Sequence, residues 1–469
     1  MEPISRRTVL LGMGASAAAL LGACSSATKT ASKALSANAT ATTLAQTPPQ
    51  AALGGGSFAL FGQEDINFQT LFALGGAGQN AEVGEVLSVV AQANAGAGGP
   101  AYQNLYNAFV AMGNQLESAA VGAQKARHFV TARSQYFRAA QYYNQALYWV
   151  LGTSTPDAEA SVYNTMNSAF VAGAKLSPET WEQVAIPYDK RTLPGWFVKP
   201  SADAGKRPTI ILCNGSDGQN VDMLAQGGLA ALERGYNILI FEGPGQGSLL
   251  FLDNIPFRTD WENVITPIVN FLEKRSDVDA KKIALRGISF GGVLAPRAAV
   301  YEKRIAALIA DPGALEVWTN YPPVVRDVMQ AGSQQAVNAR WAAEIIPAVT
   351  PEQAFNLKKR MEIFTVPAHD DVKAGNIPTD FYSVAKAVQM FDITDLAKNI
   401  TCPTLVTQYE GDTAFGTQPQ ALYNSLTMKQ KQFAQFTAAQ GAQYHCGPMA
   451  PQLVAETMWD WLDDTLDNR

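Results

Sequence analysis

Five residues, Gly287-Ile288-Ser289-Phe290-Gly291, constrain this chain more than any others. The run before them, Lys282-Ile283-Ala284-Leu285-Arg286, has the apolar character of a short buried strand, and Gly292-Val293-Leu294-Ala295 through Val300 has the composition of a tightly packed helix. A chain that passes from strand to helix in so few residues must turn sharply. Side chains at the flanking positions would strike the neighbouring strand or helix, so glycine is what those positions admit. Serine is left at the tip, over the helix N-terminus where partial positive charge gathers. In that setting GxSxG presents a nucleophilic serine. Taken alone, the pentapeptide is equally a glycine-rich turn with a capping serine, and the remaining residues have to decide.

Past residue 180 the sequence alternates short apolar runs with turns and helices, the texture of a parallel sheet with crossover helices. Residues 184–188 and 195–198 read as a leading hairpin. Residues 209–213, 237–241, 282–287, 305–310, 404–409 and 432–436 read as six further strands. This predicts an α/β fold with a mostly parallel eight-stranded sheet over 179–469. The gap 314–399 is too long for a plain crossover and predicts a helical insertion after strand six, a usual place for a lid. Upstream, 57–178 predicts a helical cap domain. Tyr102, Leu105, Tyr106 and Phe109 share one helical face, and Tyr136, Ala140, Tyr143, Leu147 and Val150 follow at helical spacing.

The ends carry a separate signal. Ser5-Arg6-Arg7-Thr8-Val9-Leu10 followed by an apolar stretch ending at Leu21-Gly22-Ala23-Cys24 reads as a twin-arginine signal peptide over 1–23 with a lipobox. The stretch falls short of the ~20 residues that a spanning helix needs. The expectation is an exported periplasmic or cell-surface lipoprotein, held to a membrane through acyl chains on Cys24. Residues 24–56, almost all small or polar, predict a flexible tether. Beyond Cys24 only Cys213, Cys402 and Cys446 remain, too few for a disulfide framework, and Cys213 and Cys402 read as small buried residues beside strands. No metal-ligand spacing such as CxxC or HExxH occurs, and no metal or cofactor is expected. Removing 1–23 deletes Glu2, Arg6 and Arg7 and takes the formal charge from -6 to -7, an acidity that argues against nucleic acid as a partner.

A serine hydroxyl needs a base within hydrogen-bond reach and an acid to orient that base. His128 falls on an N-terminal helix, and His369 falls in the insertion beside Asp370 and Asp371. His445 follows the last strand and precedes the closing helix, the place for the base. Asp412 stands at the carboxyl end of strand seven and is the preferred acid; Glu410, two residues away, and Asp311, after strand six, are its rivals. The chain order Ser289, Asp412, His445 suits a nucleophile carried on a strand-to-helix turn. Donors for a developing oxyanion are the amide of Phe290 and one from the loop Asn214-Gly215-Ser216-Asp217-Gly218, either Gly215 or Ser216. Glu242-Gly243-Pro244-Gly245-Gln246-Gly247 lacks the GK[ST] ending of a phosphate loop and reads as a rigid turn beside the nucleophile.

Several of these segments together resemble one group of α/β-hydrolases, which includes bacterial 2,6-dihydroxypseudooxynicotine hydrolase and fungal enzymes that shorten polyketide chains. They are Tyr136-Phe137-Arg138-Ala139-Ala140-Gln141-Tyr142-Tyr143, Leu193-Pro194-Gly195-Trp196, 241–247, 286–292 and Cys402-Pro403-Thr404-Leu405-Val406. The resemblance spans most of residues 100–465. It implies a Ser289, Asp412, His445 triad and an active site between sheet and helical cap. It also implies cleavage of esters or of carbon-carbon bonds next to a ketone. For the latter, Glu316 or Asp311 is the candidate extra proton donor. The expectation is a cofactor-independent serine hydrolase acting on a small-molecule carbonyl substrate. Its rivals are a ligand-binding lipoprotein that keeps the fold without catalysis and an acyltransferase. A homodimer is compatible with the sequence.

Overall fold

The computed structural model describes residues 60–61, 63–96 and 101–468; the twin-arginine pattern, Cys24 and the expected tether lie outside the described residues. Among the described residues five longer helices come first, Glu64–Gly75, Val83–Ala95, Ala101–Lys125, Phe129–Trp149 and Glu159–Lys175. The sheet then begins with β1 (Thr180–Tyr188) and β2 (Arg191–Lys199). It continues through β3 (Arg207–Cys213), β4 (Asn237–Phe241), β5 (Val278–Ile288), β6 (Ala307–Asp311), β7 (Thr404–Tyr409) and β8 (Lys431–Phe436). Its spatial order is β1-β2-β4-β3-β5-β6-β7-β8. β1 with β2 and β2 with β4 are antiparallel, and every later pairing is parallel. This is the sheet expected, and residues 237–241 and 404–409 match their strands end to end.

Central strands such as Asn237–Phe241 are buried at every position, as strands covered on both faces by helices must be. β1 lies at the edge and alternates buried with exposed residues, and it starts four residues earlier than expected. Its first half, Thr180-Trp181-Glu182-Gln183, is half-buried or exposed and carries no apolar run to mark it. Between β6 and β7 the chain forms a set of short helices, including Pro351–Met361, Val366–Lys373 and Phe381–Gln389. The insertion is therefore helical, as its length implied.

Helix Phe129–Trp149 departs from the single-stripe expectation: from Ala139 to Trp149 every residue is buried, polar ones included. One face meets Ala101–Lys125 and Glu159–Lys175, and the other meets the loop after β3. There the buried Asp222 carboxylate accepts from Gln141 Nε2 (3.1 Å), Asn144 Nδ2 (2.8 Å) and the Gln219 amide (2.8 Å). Tyr163 of the following helix donates to the buried Glu242 at the end of β4 (2.7 Å). Burial pushes both carboxyls above their ordinary range. The surrounding donors are what make burial of these groups tolerable, since an unpaired polar group there would cost about 1–3 kcal/mol.

Candidate active site

The turn between β5 and helix Gly291–Tyr301 holds Ser289 at a φ of +57°, in the left-handed region that a non-glycine residue adopts only at a cost of about 1–2 kcal/mol. Two hydrogen bonds fix it there: the Ser289 amide donates to the Asp311 carbonyl (2.8 Å), and the Gly292 amide donates to the Ser289 carbonyl (2.8 Å). A Cβ on Gly287 would lie 2.0 Å from the Gly291 carbonyl oxygen, so glycine is required by contact.

His445 occupies the loop between β8 and the closing helix Pro451–Leu466, and Asp412 occupies the turn after β7. The Gly411 amide donates to the Gln443 carbonyl (2.8 Å), which ties the acid's turn to the histidine's loop. His445 Nε2 lies 2.9 Å from Ser289 Oγ, and Nδ1 lies 2.7 Å from Asp412 Oδ2. The other oxygen, Asp412 Oδ1, accepts from the amides of Ala414 (2.7 Å) and Phe415 (3.3 Å). Burial works against the Asp412 carboxylate, yet His445 and these two amides hold its carboxyl below the usual range. Burial likewise works against a charged imidazole, but the adjacent Asp412, with a smaller contribution from Cys446, raises His445 well above its ordinary range. The rivals lie elsewhere: Glu410 is exposed and accepts from the Ala438 amide (2.7 Å), and His128 is exposed at the start of its helix.

Around the serine, the amides of Phe290 and Ser216 have no protein acceptor among the described residues. The Gly215 amide is taken by Asn214 Oδ1 (2.8 Å). A Cβ on Gly215 would lie 2.7 Å from Ser289 Cβ, so the loop after β3 runs directly against the nucleophile. Gln246, from the glycine-rich turn after β4, clamps that loop: its Nε2 donates to the carbonyls of Asn214 (2.8 Å) and Gly215 (3.1 Å), while its Oε1 accepts from the Gly243 amide (3.0 Å). The turn thus packs beside the nucleophile as its sequence implied. The clamp that Gln246 makes was invisible in the sequence, because Asn214 and Gly215, to which it donates, are more than thirty residues away.

Neither accessory-acid candidate meets the serine hydroxyl. Asp311 is fully buried under the turn, and its carboxylate is consumed by Arg286 (Nη2 2.6 Å), Thr407 (2.7 Å) and Tyr409 (2.5 Å). This corrects its reading as a proton donor: an ion-paired carboxylate with both oxygens engaged holds β5, β6 and β7 together. Glu316 pairs with the amide and hydroxyl of Thr319. Cys213 and Cys446 are buried, whereas Cys402 is only half-buried.

The walls are aromatic. Phe290 packs against Phe257 (4.9 Å between ring centres) and against Phe364 (6.0 Å) and Phe391 (5.0 Å) of the insertion. Phe415 and Phe68 stand 5.6 and 6.5 Å from the His445 ring. Phe68 belongs to helix Glu64–Gly75, so the helical region reaches over the base as well.

Sequence and structure comparisons agree with this fold. The FrsA-like esterase family matches residues 108–319. The 20-hydroxy-prefusarin hydrolase FUS2 of Gibberella moniliformis is 27% identical over 435 residues, covering 87% of this chain and 97% of the relative. The α/β-hydrolase psoB of Aspergillus fumigatus is 26% identical over 423 residues, covering 85% and 92%. The crystal structure of 2,6-dihydroxy-pseudo-oxynicotine hydrolase superposes with a TM-score of 0.60 over 85% of this chain and 95% of that one, at 18% identity. The chain has the α/β-hydrolase fold. The group that the sequence resembled is the group it matches, and it is a hydrolytic enzyme. The same kinship overturns one expectation: relatives from Gibberella, Fusarium and Aspergillus do not fit a twin-arginine-exported bacterial lipoprotein. Among the described residues no helix is long and apolar enough to cross a membrane.

This α/β-hydrolase holds a second cluster of ionisable groups. Glu159, Glu362 and His369, all buried, bring one ligand atom each within 4.8 Å of one another. Lys359 Nζ, 2.7 Å from Glu362 Oε1 and 3.9 Å from Glu159 Oε1, already supplies a positive charge there. The cluster is therefore an internal ion group joining helix Glu159–Lys175 to the insertion. Burial, then Glu159, pushes Glu362 up to about 8, and burial pushes His369 down to about 4. Between about 6.5 and 8 the folded Glu362 keeps a proton that the unfolded chain has lost, so stability falls as pH rises. Between about 4 and 6.5 His369 acts in the opposite sense, being neutral when folded and charged when unfolded. The expected Tm therefore declines from pH 6.5 to 8, and Glu362→Gln should make that decline shallower in a thermal-melt series, the remainder coming from His445, which Asp412 raises. An unaltered slope in the variant would assign the titration to another group.

Proposed function

We propose that this α/β-hydrolase is a serine hydrolase working through an acyl-enzyme, with Ser289 as nucleophile, His445 as base and Asp412 as the group that orients His445. The carrying observation is the unbroken relay from Ser289 Oγ through His445 to Asp412, with contacts of 2.9 and 2.7 Å. Ser289 Oγ attacks the substrate carbonyl carbon as Nε2 takes its proton. The developing oxyanion is received by the amides of Phe290 and Ser216, and the imidazolium returns the proton to the leaving group. Water then repeats the sequence on the acyl-enzyme.

The substrate in this reading is a small organic carbonyl compound, cleaved at an ester or at a carbon-carbon bond next to a ketone. Aromatic walls from three parts of the chain suit an apolar body. Relatives named for 20-hydroxy-prefusarin and 2,6-dihydroxy-pseudo-oxynicotine support a small organic molecule. The helical region 57–178 and the insertion 314–399 act together as the cap. A fluorophosphonate probe tests the chemistry: folded protein should be labelled at Ser289, found by peptide mass spectrometry, and heat-unfolded protein should not. Folded protein that resists labelling would favour a ligand binder built on the same fold.

A further inference from the structure

We infer that Arg360 and Tyr148 form a recognition site for a second carbonyl or enolate oxygen of the substrate, beside the scissile carbonyl; the inference rests on the reading of Ser289 as nucleophile. Arg360 lies near the end of insertion helix Pro351–Met361. Its Nη1 donates to Asp217 Oδ2 (2.7 Å) and lies 3.5 Å from Ser216 Oγ, and Ser216 Oγ itself donates to Asp217 Oδ2 (3.0 Å). Ser216 adjoins Gly215, which touches the nucleophile. The guanidinium is thus placed one loop residue beyond the oxyanion donors.

A guanidinium has five N–H donors in a fixed fork. The protein contacts of Arg360 use Nη1 alone; Nε and Nη2 have no protein acceptor among the described residues. The side chain keeps 47% of its surface accessible, although Tyr148, Tyr321 and Asp217 stand close enough to act on its charge. It is therefore open to solvent. The Tyr321 hydroxyl is occupied with the Arg360 carbonyl (3.1 Å). The hydroxyl of Tyr148, a residue otherwise buried, has no protein partner among the described residues. Two sets of open donors consequently lie near each other, beside the loop that touches Ser289.

What they call for is an acceptor, and the charge balance narrows its kind. Asp217 already offsets the Arg360 charge, so a permanently anionic group is not demanded. A carbonyl oxygen satisfies the open N–H and O–H groups, and an oxygen that gains charge during the reaction satisfies them better. When the scissile bond is carbon-carbon, Ser289 Oγ bonds to the acyl carbon and collapse of the tetrahedral intermediate breaks the bond to the leaving fragment. The electron pair passes into that fragment as an enolate whose oxygen lies on Arg360 and Tyr148, and the proton taken from Ser289 moves from His445 to the α-carbon. When the bond is an ester, the same donors hold the second carbonyl and the pair leaves on the alkoxide oxygen. In either case no accessory carboxylic acid is required, in keeping with the engagement of Asp311.

The test compares ethyl acetoacetate with ethyl butyrate, two esters that differ by the second carbonyl. The readout is the ratio of their kcat/KM values. Wild-type enzyme should favour the acetoacetate, and Arg360→Gln should lower the ratio about 10- to 100-fold, the range for a hydrogen bond to a charged group. Arg360→Lys should restore part of it. Tyr148→Phe, which leaves the Arg360 pair with Asp217 in place, should move the ratio in the same direction and carries the test should Arg360→Gln fail to fold. A wild-type preference for the butyrate, or variants that slow both esters by one common factor, would overturn the inference and leave Arg360 as a support for the loop after β3. Turnover of both esters by Ser289→Ala would instead sink the nucleophile assignment, so the two failures are distinguishable.

Discussion

Replacing Ser289 by alanine should lower kcat for p-nitrophenyl butyrate by about 10⁵- to 10⁶-fold, the scale on which removing the nucleophile of a triad abolishes its cooperation with base and acid. A residual rate above water is expected from the amides of Phe290 and Ser216, which do not depend on the hydroxyl. Stability should report the same residue independently. Alanine at φ +57° keeps the backbone strain that serine bears, whereas glycine does not. Ser289→Gly should therefore be about 1 kcal/mol more stable than Ser289→Ala while equally inactive. Urea unfolding measures the difference, and a glycine variant no more stable than the alanine variant would show that the turn is relaxed. The strain has a functional rationale: it lifts Oγ off the sheet toward His445 Nε2, 2.9 Å away.

The sheet was legible because buried parallel strands advertise themselves: Asn237-Ile238-Leu239-Ile240-Phe241 has nothing but strand to be. Its triad candidates were legible because each stands at the carboxyl end of a recognisable strand or just beyond the last one. What escaped were contacts whose partners are distant in sequence. Arg360 meets Asp217 across 143 residues, and no local pattern distinguishes it from Lys358 and Lys359 beside it. Yet the three cations go to three places: Lys358 to the Leu151 carbonyl, Lys359 to Glu362 and Glu159, Arg360 to the loop after β3. Periodicity failed for helix Phe129–Trp149 for a related reason. An apolar stripe marks one buried face, but Gln141 and Asn144 are buried through hydrogen bonds to Asp222, and polar burial has no hydrophobic signature.

These cations bear on how the site is assembled. One turn of the insertion helix joins the helical region to the loop that carries Ser216, while Phe364 and Phe391 of the same insertion close over Phe290. The same insertion thus supplies both the aromatic enclosure of the serine and a tie to the loop beside it.

Asp412→Asn should be the second most damaging change, lowering kcat by about 10⁴-fold, because the amide can hold His445 in the wrong tautomer and cannot stabilise the imidazolium. Its pH signature follows from the cause of the histidine's shift. His445 must be neutral to accept the Ser289 proton, so kcat/KM should rise with pH through a range above that of an ordinary imidazole, where Asp412 has raised it. Removing the carboxylate removes the charge that favours imidazolium while burial continues to oppose it. The acid limb of the residual activity should therefore move to lower pH. Glu410→Gln serves as the comparison: its carboxylate is exposed and bonded to the Ala438 amide, so neither kcat nor the limb should change. A pH–rate profile on the two variants decides between the acids. An unmoved limb in Asp412→Asn, together with a displaced one in Glu410→Gln, would transfer the role to Glu410.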